Sequence, residues 1–208
     1  MDNNIDHLIY ATNDLQEGMS RVAELLGVTV HPGGSHPGFG SRNALVPLGP
    51  GCYLEVIGPD PEQADFEGER IFGVGQLQSP RLAHWCVRRN GLSGFVQRMQ
   101  TSGIEIGEPL PMSRQTAEGG KLTWELAFPV HFGASSPAPF FIDWGNSPHP
   151  AAAFPQEATL LDFKLSHPEA ATVNRALASM EIEPCAIQDT EFRLTAKISA
   201  PAGVVTLT

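Results

Sequence analysis

Positive charge is scarce in this sequence: 13 Lys and Arg stand against 23 Asp and Glu, giving a formal net charge of −10. Such a surface repels phosphate, which argues against nucleic acid or an anionic membrane as partner. Cysteine is scarce as well. Cys52, Cys86 and Cys185 are odd in number and far apart, so they make neither a CxxC metal pattern nor a disulfide framework. Each lies beside apolar residues and reads as a small core thiol. No apolar run approaches the length of a bilayer span, and Met1-Asp2-Asn3-Asn4 lacks the basic start and apolar stretch of a secretory signal. The expectation is a cytoplasmic protein. Also missing are a GxSxG elbow, a Walker loop and a GxGxxG opening a helix; Gly33-Gly34 and Gly119-Gly120 read as turn residues.

What is plentiful is Gly, 21 residues, and Pro, 18 residues, in a chain of 208. That composition favours many short strands and turns over a helical bundle, in one large domain or two small ones. Self-similarity organises the chain. Residues 5–12 read as a strand, Asn13 or Asp14 caps a helix from about Leu15 to Leu26, and Gly27 closes it. Extended runs follow at 28–31, 43–48 and 52–57. The same order recurs: a strand at 82–87, a helix carrying Leu92, Phe95, Val96 and Met99, then runs at 104–106, 122–128 and 140–144. Asn90 stands as far after His84 as Asn13 does after His7. A third, partial copy shows a strand at 159–166, a helix with Pro168 in its first turn and Val173, Leu177 and Met180 on one face, and runs at 185–188, 192–198 and 204–207. The expected fold is α+β: paired βαβββ modules whose curved mixed sheets surround a cleft, plus a third partial βαβ-type module. The expected boundaries are 1–58 for the first module, 59–80 for a linker, 81–146 for the second module, 147–158 for a Pro/Ala-rich linker and 159–208 for the third.

Side chains alternate across a strand. Strict alternation groups His7 with Ile5 and Ile9, Glu55 with Tyr53 and Ile57, His84 with Leu82 and Cys86, and Asp143 with Phe141. The opposite faces are bulky and apolar and suit packing under helices. If both sheets curl around one cleft, His7, Glu55, His84 and Asp143 converge as a mixed N/O site for Zn, Mn, Ni or Fe(II). Glu55 is the most informative, because a carboxylate among Tyr53, Leu54, Val56 and Ile57 is costly to bury unless paired, protonated or metal-bound. The alternative for the histidines is a hydrogen-bonded structural role within the sheet.

The paired modules, with Asp6-His7-Leu8, Tyr53-Leu54-Glu55-Val56-Ile57-Gly58, Ala83-His84-Trp85 and the run 139–145, resemble the glyoxalase-like proteins of the vicinal oxygen chelate superfamily. The run 34–45 is similar to that group's loop before the third strand, and Arg114, Gly120, Leu122 and Trp124 resemble its second-module signature. The resemblance implies metal ligands at the first and last strands of each module, met by type at His7, Glu55 and His84. Asp143 departs from the commoner Glu by one methylene, and a site of two His and one carboxylate is the alternative.

Around that centre, His36 in the Gly/Pro-rich stretch is a candidate general base beside Glu55. Arg114 is suited to a substrate carboxylate, and Tyr53, Trp124 and Phe141 are candidate ligand contacts. His31 belongs to the same stretch; His131, His149 and His167 receive no role. The resulting expectation is a metal-dependent lyase, isomerase or dioxygenase acting on a small oxygenated molecule. The rival is a metal-free protein that binds or sequesters a small molecule in the same cleft. A homodimer with swapped or docked modules is compatible with either.

Overall fold

The computed structural model describes residues 4–115, 120–130, 133, 136–183 and 185–208. His131 and Gly119, both considered above, lie outside the described residues. The first unit runs β1 (Ile5–Ala11), α1 (Leu15–Leu26), β2 (His31–His36), β3 (Ser41–Gly49) and β4 (Cys52–Pro59). The second runs β5 (Arg81–Arg88), α2 (Leu92–Thr101), β6 (Leu110–Gln115), β7 (Lys121–Ala127) and β8 (Phe140–Asp143). Their strands form one mixed sheet of eight in the order β2-β3-β4-β1-β5-β8-β7-β6. The antiparallel pair β1–β5 at its centre joins the units.

The order is twofold symmetric about that pair, and the sheet curls until its end strands meet. A Cβ built on Gly34 in β2 would stand only 3.1 Å from Cδ of Arg114 in β6. The concave side therefore becomes a nearly closed barrel interior. The convex side packs under the helices. In α1 the Asp14 side chain accepts from the Glu17 N–H and Gly27 (φ 69°) closes the last turn, while Val22 and Leu26 are buried. In α2, Leu92, Phe95, Val96 and Met99 are buried, as their spacing predicts.

The third unit is β9 (Thr159–His167), α3 (Ala170–Ser179), β10 (Ala186–Gln188), β11 (Arg193–Ala200) and β12 (Gly203–Leu207), with strand order β10-β9-β11-β12. Pro168 precedes α3 rather than lying in its first turn. This sheet shares the convex-side core, where Phe163 packs on Trp85 at 5.2 Å between centroids. It leaves the concave cavity uncovered.

Two strands lie later than the sequence pattern suggests. β2 begins at His31 and takes in Gly33 and Gly34, because only glycine tolerates the approach there: a Cβ on Gly33 would meet Asn43 Oδ1 at 2.0 Å. Ile106 makes only an isolated bridge to Pro129, and β6 starts at Leu110. The segment between the units is more than a spacer. Its short 3-10 turn Ile71–Gly73 buries Phe72, held at φ 60°, against the rings of His84 and Phe140.

Candidate functional site

A cavity opens on the concave face, with about 690 Å³ of free space including its mouth. Its polar lining is His7, His36, Asn43, Tyr53, Glu55 and Arg114; the rest is apolar, with Phe72, Trp124, Phe128, Phe140, Ile142 and Trp144 prominent. Glu55, 6% exposed, is the hub. Asn43 Nδ2 donates to its Oε1 at 2.5 Å, His7 Nε2 lies 3.5 Å from Oε2, and His36 Nε2 lies 3.7 Å from Oε1. The Asn43 hydrogen bond offsets part of the cost of removing this carboxylate from water, and the two imidazoles stand just beyond hydrogen-bond distance.

His7 is oriented from behind. Its Nδ1 lies 2.8 Å from Oδ1 of Asp6, and its ring stacks on Tyr53 at 4.6 Å. Asp6 is fully buried and also accepts from Arg88 Nε at 2.8 Å and Trp144 Nε1 at 3.0 Å, with His149 Nε2 at 3.3 Å. Burial alone would raise its pKa; the adjacent imidazoles of His149 and His7 outweigh that and hold it well below the carboxylate range. Burial pushes the His36 imidazole down, against the opposing pull of Glu55, so it is neutral at neutral pH. Burial and the nearby Glu55 keep the Tyr53 hydroxyl protonated. The three cysteines are free, and burial raises the thiol pKa of each, Cys52 to about 12 and Cys185 to about 11.

Strict alternation misplaces Asp6 because β1 carries a register shift between Ile5 and His7, a bulge that brings consecutive side chains within bonding distance. The argument that singles out Glu55, a carboxylate in an apolar strand, applies equally to Asp6 and is the signal that could have found it. His149, between Pro148 and Pro150, carries no such signal.

The expected tetrad does not assemble. His7 and Glu55 share the cavity, but His84 is fully buried beneath it, between the rings of Phe72 and Phe140 at 5.6 and 5.9 Å. Asp143 and Phe141 face the other way from the sequence expectation. Phe141 is buried against Phe95 of α2 at 4.7 Å, and Asp143 accepts from the N–H groups of Gly91 and Leu92 at the start of α2, at 2.7 and 3.3 Å, and from Gly145 at 2.8 Å. The physical reason lies in α2, whose cap Gly91 has no side chain; the strand-end carboxylate fills that role at the positive end of the helix.

Register shows what replaced the second half-site. Glu55 pairs with Ile9, two residues after His7; Phe140 pairs with Cys86, two residues after His84. The bulge residue Asp6 before His7 likewise corresponds to Ala83 before His84, where β5 carries its own shift. The first unit holds Asp6-His7-Glu55, and the second holds Ala83-His84-Phe140. Among the described residues, no group of three or more His, Cys, Asp or Glu is arranged to hold a metal ion. The donors present thus do not fit the divalent metal that the resemblance implies.

The sequence matches the glyoxalase-like domain over residues 5–181, most of its length. The chain belongs to the glyoxalase-like domain family. No curated protein matches it. A hypothetical protein from Staphylococcus aureus is 16% identical over 91% of this glyoxalase-like chain and 87% of its own, with a TM-score of 0.72. Methylmalonyl-CoA epimerase from Mycobacterium tuberculosis is 16% identical over 72% of this chain and 91% of its own, at 0.46. A methylmalonyl-CoA epimerase in complex with methylmalonyl-CoA and NH4+ gives 15%, 71%, 99% and 0.47. The first of these likenesses shows the fold. No helix among the described residues is long and apolar enough to cross a membrane.

Proposed function

We propose that this glyoxalase-like protein is an isomerase-type enzyme that moves a proton next to a carbonyl group of a small oxygenated molecule. The observation that carries the reading is Glu55, a carboxylate in an apolar cavity flanked by two imidazoles at 3.5 and 3.7 Å. Glu55 accepts the proton from the carbon beside the carbonyl. His7, whose Nδ1–H is held by ionised Asp6, presents Nε2 towards Glu55 and relays that proton. Neutral His36 and the Arg114 guanidinium hydrogen-bond the developing oxyanion, and the proton returns to the neighbouring position or the opposite face. The apolar lining strengthens each of these contacts.

The test is deuterium incorporation from heavy water into a panel of small 2-oxo and 3-oxo acids, followed by proton NMR. Incorporation that falls about a hundredfold or more in Glu55→Gln supports the reading; exchange that Glu55→Gln leaves unchanged overturns it. The apolar replacement at Phe140 favours a second reading, a binding protein without chemistry. Saturable binding with no exchange on any panel member is its signature.

A further inference from the structure

The two halves of the cavity have diverged in opposite directions. Polar groups come from the first unit: His7 on β1, His36 on β2, Asn43 on β3 and Glu55 on β4. The second unit contributes rings. Phe140 stands at the register position of Glu55, stacks on Phe128 at 5.3 Å, and covers His84. Trp124 and Trp144 lie at 5.4 Å from one another on the same wall. Among the described residues, the cation that the second unit places in the lining is Arg114, and it enters where the sheet curls back on β2, at the polar end beside Gly34. Its charge acts on His36 and Tyr53.

We infer that the ligand is an aryl-bearing carboxylate. Its ring lies against Phe140, Phe128 and Trp124, where face and edge contacts between π systems add to the burial of apolar area. Its carboxylate meets Arg114 at the polar end, where a planar fork matches two oxygens. The carbon between them falls next to Glu55. An alkyl acid would satisfy Arg114 and forgo the rings; a neutral aryl compound would leave a cavity cation unpaired. This rests on the reading of the cavity as a substrate site and adds the substrate class.

The experiment is calorimetry and ligand-observed NMR on the whole protein, with phenylacetate, 2-phenylethanol and hexanoate as probes. Phenylacetate is expected to bind about tenfold or more tightly than either of the others. Arg114→Gln should reduce phenylacetate to the affinity of 2-phenylethanol, and Arg114→Lys should recover part of the loss. Phe140→Leu should erase the preference for phenylacetate over hexanoate while leaving the dependence on Arg114. Equal binding of the three probes overturns the inference, as does phenylacetate binding that Arg114→Gln and Phe140→Leu leave intact in proteins whose circular dichroism matches wild type. Running the titrations beside the proton-exchange assay on the wild-type protein separates the two proposals: phenylacetate binding that depends on Arg114 and Phe140, with no exchange on any panel member, upholds the ligand class and overturns the isomerase reading.

Discussion

The imidazole of His7 shares a short contact with the carboxylate of Asp6, Nδ1 to Oδ1 at 2.8 Å, although the two residues are consecutive in one strand. The bulge makes this geometry available; Arg88 and Trp144 fix the carboxylate in place, while His149 and His7 keep it ionised. Asp6 thereby selects the His7 tautomer that leaves Nε2 to face Glu55.

Replacing Asp6 with Asn should therefore lower kcat for proton exchange about ten- to a hundredfold while moving KM little, because the loss falls on orientation and not on ligand contact. Kinetics on any substrate found by deuterium exchange, with histidine nitrogen NMR to report the tautomer, checks this. An unchanged kcat with an unchanged tautomer would show that Asp6 serves the fold alone.

A second prediction concerns Gly33, whose Cβ would lie 2.0 Å from Asn43 Oδ1. Gly33→Ala must displace Asn43, which holds both the Gly34 N–H and Glu55. The expected cost is about 1–3 kcal/mol in urea unfolding together with loss of exchange activity. In Gly94→Ala, within α2, the new Cβ would come no closer than 4.0 Å to the Arg98 guanidinium; the variant should gain about 0.5–1 kcal/mol from helix propensity.

The pH dependence of stability should carry the mark of His84. Burial outweighs the hydrogen bond that the imidazole donates to the Trp85 carbonyl and lowers this imidazole from 6.5 to about 4. Between those values the unfolded chain binds a proton that the folded protein does not, so stability is full above pH 6.5 and falls as pH drops toward 4. At pH 5 this one group accounts for about 2 kcal/mol. Urea unfolding at about pH 7.5 and pH 5 should show that extra loss in wild type and not in His84→Leu. Equal pH slopes in the two proteins would mean that His84 is solvated or paired in its charged form.

Metal retention tests the register argument. Protein incubated with Zn, Mn, Ni or Fe(II) and then desalted should retain well under one equivalent, with His84→Ala no different from wild type. Near-stoichiometric metal lost in His84→Ala would restore the four-ligand site.

Much of this was legible in the sequence, and the misses share a cause. The repeat, the helix faces and the placement of Tyr53, Glu55 and Ile57 follow from periodicity alone, because those stretches are regular. Asp6 fails the alternation rule at a bulge, and Leu82, expected with His84, turns to the helix side across the shift at Ala83. Asp143 fails for a subtler reason. It corresponds in register to Gly58, which lies so close to the start of α1 that a Cβ would meet the Leu15 nitrogen at 2.9 Å. In the first unit Asp14 caps the helix and the strand needs a glycine there; in the second Gly91 cannot cap and the strand supplies Asp143. Sequence shows the carboxylate but not which helix end awaits it. His149 and Phe72 reach the site from connecting segments, where no periodicity exists to read.

The central pairing of β1 with β5 puts both units in one continuous sheet. In a homodimer of identical units every substitution appears twice, so a molecule with unlike ends could enter such a cavity in either of two equivalent directions. Here positions 55 and 140 differ, Glu against Phe, and those two directions are no longer equivalent. If the proposed reading holds, the broken symmetry would give a guest one preferred way round, and with it one face of its reacting carbon turned to Glu55.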